Sequence, residues 1–334
     1  MLQLPKIDYC RPENEEELLV CMEAHQDNFI LLAGGTALVN DLKRGLSDAG
    51  VLISLGALQD LKGVEYDRDQ DRLLIGSMTT LAEMTASPVL QDLLPGLVQA
   101  VRAVAAPPIR NRATLGGNLC LNTRCYYYNQ SLAWRKLREP CYKCGGKVCL
   151  AVPGAKRCQS VFSADLPPLL LALGAKLLIG PGETREMSLA ELYTGNGVNP
   201  HSLPAGDYIR SIIIEDVSRK WGHYRKFRLR KSLDFPLAGI AMAGERTQDR
   251  SFKQLKIVLG ALASGPLFVE KAANILSGKP YDSDDAVELA STAVVAVAKP
   301  VANIGSQPGH RKKMAGILLR KMVTDLQDEN KNPD

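Results

Sequence analysis

The order of apolar and polar positions predicts a chain in which helices and strands alternate at first and strands precede helices at the end. Glu13 to His25 reads as an acid-rich helix, and FILLAGG after it as a short strand. A turn and a second helix around Leu38 to Arg44 lead into the apolar strand VLISLG, giving a small βαβ-like unit. Between Leu61 and Gly76 the alternation predicts a hairpin closed by Asp67 to Asp71, and Thr80 with Glu83 has the pattern of a capping box. Residues 93–106 form an apolar helix that Pro107–Pro108 ends, and IRNRATLGGNLCLN is a glycine-containing turn.

After Cys158, ADLPPLLLALGAKLLIG is a helix running into a strand, SLAELYTG a short helix and DYIRSIIIEDV a strand. A boundary is expected near Val217–Trp221, dividing residues 1–217 from 218–330. Beyond it YRKFRLRKS, FPLAGIAMAGE and QLKIVLGALASGPL read as strands. LFVEKAANILSG, Asp284 to Lys299 and HRKKMAGILLRKMVTDLQ read as helices. Strands followed by helices predict a compact α+β domain, with DENKNPD as a frayed tail.

Composition narrows the function. The 334 residues suit two or three domains, each with its own core. A net charge of +5 without an arginine-rich arm gives no case for nucleic-acid binding. No charged-then-apolar leader opens the sequence, and no run of about 18 uncharged apolar residues occurs, so a cytoplasmic protein without a membrane span is expected. Six of the eight cysteines fall between Cys120 and Cys158, which in a large chain points to metal or cluster ligation rather than disulfides.

Two glycine loops carry candidate chemistry. In LLAGGTALVNDLKRG a strand meets Ala33–Gly34–Gly35–Thr36–Ala37 and then a helix, so backbone N–H groups and a helix dipole can face a diphosphate. The loop lacks a P-loop lysine and a third Rossmann glycine, and alone an ordinary turn explains it. The second loop, Ala113 to Leu119, repeats the small residues and hydroxyl; two such loops are more informative than one.

Among the cysteines, Cys141-x2-Cys144 resembles a zinc knuckle, but no second knuckle follows. Iron–sulfur clusters tolerate irregular spacing, so chemistry alone leaves a cluster and structural zinc equally open. Eight Lys and Arg residues crowd 121–160 against Glu139 alone: a solvated face, an offset for a polyanionic cluster, or a dock for an acidic partner. Helix capping accounts for Asp165, and surface exposure for Lys226 and Lys231. The four histidines (His25, His201, His223 and His310) are scattered, and neither they nor the carboxylates outline a hydrolase site.

At LAGGTALV, ATLGGNL, ADLPPLLLALGA and RKKMAGILLRK the chain resembles the flavoprotein subunits of the xanthine dehydrogenase and carbon monoxide dehydrogenase family, over nearly its whole length. The resemblance implies an α+β, vanillyl-alcohol-oxidase-like FAD-binding fold and a C-terminal α+β domain. It places FAD against Leu32, Ala33, Gly34, Gly35, Thr36, Ala37, Leu38, Val39, Val104, Thr114, Leu115, Gly116, Gly117, Asn118, Asp165, Tyr208 and Lys226. An insertion at 121–161 is similar to that of 4-hydroxybenzoyl-CoA reductase middle subunits. The likeness implies a [4Fe–4S] cluster on Cys125, Cys141, Cys149 and Cys158, with Cys144 and Cys120 outside the set.

The same likeness implies reductive dehydroxylation of 4-hydroxybenzoyl-CoA, with the substrate on a large molybdenum-cofactor subunit. Electrons would come from ferredoxin through the cluster and FAD to a small [2Fe–2S] subunit, in a dimer of heterotrimers. The alternatives are the FAD subunit of a hydroxylating dehydrogenase, with outward electron flow, and a zinc-stabilised binding module.

Overall fold

The computed structural model describes residues 3–26, 28–230, 232–247, 249–280 and 283–331, with Lys231 and the end of the polar tail outside them. Three sheets organise the chain. The first is parallel, in the order β1 (Asp8–Cys10), β3 (Val51–Ser54), β2 (Phe29–Leu32). Helix α1 (Glu15–His25) packs on it through Leu18 and Met22, and α2 (Leu38–Lys43) forms the expected crossover between β2 and β3. Cys10 and Cys21 join β1 to α1 as a disulfide, a pairing the sequence reading did not anticipate.

The second sheet is antiparallel. Its hairpin β4 (Val64–Asp67) and β5 (Arg72–Gly76) pairs with β8 (Tyr208–Ile214), which pairs with β6 (Lys176–Gly180) and then β7 (Arg185–Ser188). Four helices cover this part: α3 (Leu81–Ala86), α4 (Pro88–Leu93), α5 (Pro95–Ala103) and α6 (Pro107–Arg110). The capping box at Thr80 and Glu83 is present in both directions. The helix expected over 93–106 is α5, trimmed at both ends, with Pro95 in its first turn; α4 before it, which was not expected, begins the same way at Pro88. Pro107–Pro108 likewise begin α6 rather than merely ending its predecessor.

Helices α7 (Leu115–Leu119) and α8 (Leu132–Lys136) flank the start of the insertion, and α9 (Leu166–Ala172) follows it, fully buried. The third sheet runs β9 (Lys220–Phe227), β10 (Ala238–Arg246), β11 (Phe252–Gly260), β12 (Leu267–Phe268), all antiparallel. Helices α10 (Glu270–Leu276), α11 (Asp284–Val297) and α12 (Pro308–Lys331) complete the fold.

Strand alternation makes the third sheet common property of two cores. Ala238, Ile240 and Met242 face the core built with α10–α12, whereas Ala241 and Ala243 face the core that contains α9. The C-terminal part is thereby packed against the first part through α9 and strands β9 to β11. No helix among the described residues is long and apolar enough to cross a membrane. The α+β, two-part architecture is the one expected.

Candidate flavin cleft and cysteine cavity

A cleft of about 660 Å³ opens between the two glycine loops, the start of α9, and the 233–235 loop of the C-terminal part. That volume lies within the range of small-molecule and cofactor sites. Both loops reach it because they are packed together: a Cβ on Gly34 would stand 1.8 Å from the Arg112 carbonyl oxygen, so only glycine permits this approach. Gly35, at φ +75°, turns the backbone into α2.

The loops contribute differently. In the first, the N–H groups of Gly34, Gly35, Thr36 and Ala37 have no protein acceptor among the described residues, although they lie on the cleft wall. Buried or half-buried amides of this kind call for a ligand acceptor. In the second, the expected turn is the first turn of α7, and its amides are committed. Leu115 donates to the Thr79 carbonyl at 3.0 Å, Gly116 to that of Ser77 at 2.8 Å, and Gly117 to Thr114 Oγ1 at 3.2 Å. The second loop therefore shapes the cleft, while the first supplies free donors.

Of the anticipated flavin residues, Ala33 to Leu38, Val104, Thr114, Gly116, Gly117, Asn118, Asp165 and Tyr208 line the cleft. Leu32, Val39, Leu115 and Lys226 do not. Lys226 instead stands behind the wall, 3.0 Å from Asp165 Oδ1, with both side chains buried. Asp165 also accepts from the Tyr224 hydroxyl at 2.9 Å. Two expectations are corrected here: Asp165 makes no capping bond to α9, and Lys226 is not a surface residue. Burial raises the Asp165 carboxyl and lowers the Lys226 ammonium, each against the pull of the other's charge. The pair ties the start of α9 to β9. Tyr208 donates its hydroxyl to Glu15 at 2.6 Å, with Arg210 on the same carboxylate, so that hydroxyl is already engaged.

Ser163, Leu233 and Phe235 are among the cleft residues that escaped the sequence reading. Ser163 is buried with an unpartnered Oγ, an orphan hydroxyl on the wall of a polar site. Leu233 and Phe235 reach over from the C-terminal part, and the Arg124 guanidinium lies 4.0 Å from the Phe235 ring centroid. Together they add a half-exposed apolar wall suited to a planar ring system. Free N–H donors at one end, an orphan hydroxyl and an apolar wall fit a flavin dinucleotide.

The insertion holds a second, much smaller cavity. Cys125, Cys141, Cys149 and Cys158 all line it, whereas Cys120 and Cys144 do not. Cys120 is exposed on the wall of the large cleft. Cys144 is exposed, 3.9 Å from Cys141 in sulfur-to-sulfur distance. Among the described residues no three His, Cys, Asp or Glu side chains are gathered closely enough to hold one metal ion. A four-iron cluster takes one thiolate per iron, so its ligands would be spread round a cavity rather than drawn to one point.

His201, packed against Phe162 and Tyr193, is held by burial down to about 4. The unfolded imidazole titrates near 6.5. Between those values only the unfolded chain takes up the proton, so stability is complete above pH 6.5 and declines as pH falls toward 4. Urea unfolding of wild type should lose about 2 kcal/mol more than His201→Gln between pH 7 and pH 5. Equal pH dependence in both would reject this role.

Residues 5–214 match the model of the FAD binding domain in molybdopterin dehydrogenase, and residues 222–326 that of the CO dehydrogenase flavoprotein C-terminal domain. The carbon monoxide dehydrogenase medium chain of Hydrogenophaga pseudoflava is 23% identical over 96% of both chains. The nicotine 6-hydroxylase medium subunit of Paenarthrobacter nicotinovorans is 26% identical over 97% of this chain and 98% of its own. Among solved structures, quinoline 2-oxidoreductase from Pseudomonas putida 86 superposes with a TM-score of 0.78 at 20% identity, covering 97% of each chain. All of the cleft's wall but the 233–235 loop thus lies within a matched FAD-binding domain, and the chain belongs to the FAD-binding medium subunits of the xanthine and CO dehydrogenase family of molybdenum hydroxylases.

Proposed function

We propose that this chain is the flavo-iron–sulfur electron-transfer subunit of a 4-hydroxybenzoyl-CoA reductase-type molybdenum enzyme. It holds FAD in the cleft and a [4Fe–4S] cluster on Cys125, Cys141, Cys149 and Cys158. The observation that carries the reading is the sorting of the cysteines: those four share one cavity, and Cys120 and Cys144 stay outside it. When bound, the flavin can take up and release electrons singly or in pairs, and the cluster one at a time. The partners in this reading are a large molybdenum-cofactor subunit bearing the substrate site, a small [2Fe–2S] subunit, and ferredoxin as donor. The complex is a cytoplasmic dimer of heterotrimers. Relatives named as medium chains and subunits support the multi-subunit arrangement.

The insertion's surface suits an acidic donor. Lys136, Arg138, Lys147, Lys156 and Arg157 are exposed on it. Arg135 does not belong to that face: its guanidinium is taken by the carbonyls of Gly45 at 2.5 Å, Gln130 at 2.6 Å and Arg44 at 3.2 Å, bracing the insertion against the end of α2. The names of the relatives favour a second reading, a hydroxylating enzyme with outward electron flow.

Stopped-flow mixing of the purified complex with reduced ferredoxin and 4-hydroxybenzoyl-CoA separates the two. The reductase reading expects benzoyl-CoA, with a second-order rate that falls steeply with salt and falls further in a Lys136→Glu, Arg138→Glu variant. Hydroxylated product with an artificial acceptor, and no benzoyl-CoA, would favour the second reading.

A further inference from the structure

The cysteine cavity and the flavin cleft meet at one side chain. Lys143, in the turn between Cys141 and Cys144, lines the cysteine cavity. Its ammonium donates to Asn122 Oδ1 at 2.7 Å, Thr123 Oγ1 at 2.7 Å and the Thr123 carbonyl at 3.3 Å, and lies 4.5 Å from the Tyr128 ring centroid. Asn122 and Thr123 belong to the wall of the flavin cleft. Thr123, itself buried, also accepts from Ser160 Oγ at 2.8 Å, and Ser160 stands 3.1 Å from Cys158 Sγ. A chain of polar contacts therefore runs from Cys158 through Ser160 and Thr123 to Lys143.

All three donors of the ammonium are used, and every acceptor is neutral. Among the described residues no carboxylate oxygen stands within ion-pairing distance of it. Asp41, on the cleft wall, acts on it only through space. A cation this enclosed, braced from three sides yet without a counter-ion, is costly unless an anion shares its pocket. Four thiolates are such an anion.

We infer that Lys143 is the counter-cation of the cysteine cavity, a positioning residue that sets the reduction potential of the cluster proposed there. The inference rests on the reading of that cavity as a cluster site. Net charge and hydrogen bonding around a cluster are what tune its potential. A fixed positive charge stabilises the state that holds one more electron, and its removal makes that state harder to reach.

The test compares wild type, Lys143→Met and Lys143→Arg in the anaerobically purified complex, by iron and sulfide analysis and an EPR-monitored redox titration. Lys143→Met should keep its iron while its one-electron reduction equilibrium falls at least tenfold, 59 mV to the negative side. Lys143→Arg should stay near wild type. Iron lost in the methionine variant but kept in the arginine variant also supports the charge role. An unchanged potential in an iron-replete methionine variant overturns the inference, as do equal shifts, or equal iron loss, in both variants. Iron missing from wild type itself would instead remove the cluster reading, and this inference with it.

Discussion

Replacing Gly34 by alanine is expected to weaken FAD binding at least tenfold, about 1.4 kcal/mol. The added methyl would sit 1.8 Å from the Arg112 carbonyl oxygen and 2.7 Å from its carbon, so one of the two loops has to move. Both neighbours are backbone, and the second loop cannot yield easily because its amides are bonded to Thr79, Ser77 and Thr114. The first loop must therefore retreat, taking its free N–H groups out of position. Gly309→Ala is the matched control, since nothing stands within 4 Å of its added carbon and alanine favours a helix. Flavin release and titration on folded protein, with the melting temperature recorded alongside, check the expectation. Full FAD occupancy in Gly34→Ala would show that the loop contact is not part of the site.

The second large effect is structural. Arg311→Met should cost at least about 3 kcal/mol of stability. Arg311 is wholly buried in α12, and its guanidinium donates to the carbonyls of Leu237 at 2.8 Å, Val301 at 2.9 Å and Ala261 at 2.6 Å, and to Asn303 Oδ1 at 3.3 Å. Burial lowers its pKa to about 10, so it remains a cation at neutral pH. Methionine fills much of the space yet leaves the Leu237 and Ala261 carbonyls without a donor, since only that of Val301 keeps another, the Asn303 amide, and each unsatisfied group is expensive. Asn303 in turn accepts from the Tyr126 amide at 2.8 Å and donates to the Gln159 carbonyl, so the same knot holds both ends of the insertion. A fall in melting temperature of roughly 10 °C, with partial loss of bound iron, is expected. A melting temperature within about 2 °C of wild type would contradict it.

These two positions also mark what the sequence could and could not convey. Gly34 was legible because a strand, two glycines and a helix follow one another in a single segment, and local chemistry implies a local turn. Most strands of the second and third sheets were legible for the same reason, but the short β7 was missed and the two residues of β12 were read as the start of a helix. The role of Asp165 was not. Its partner Lys226 lies 61 positions away in the third sheet, and capping was the natural reading until β9 brought the ammonium to it. Ser163 is one hydroxyl in an apolar run, and Leu233 and Phe235 come from beyond the domain boundary. Nothing short of tertiary packing places them on the cleft. The short helices α6, α7 and α8 were missed because so few residues carry no periodic signal. Arg311 is one of several bases in a segment read only as a helix, and nothing local marks it as the buried one.

The insertion is the reverse case. Spacing alone left zinc and iron–sulfur chemistry equally open, and the fold then brought four of the six clustered cysteines to one cavity. The most direct measurement is metal, acid-labile sulfide and flavin analysis of the anaerobically purified chain, with each of its six clustered cysteines changed to serine in turn. We predict FAD together with about four iron and four sulfide per chain. Most of the iron should be lost in Cys125→Ser, Cys141→Ser, Cys149→Ser and Cys158→Ser, and kept in Cys120→Ser and Cys144→Ser. Zinc without sulfide, or iron that depends on Cys144 and not on Cys125, would contradict the account.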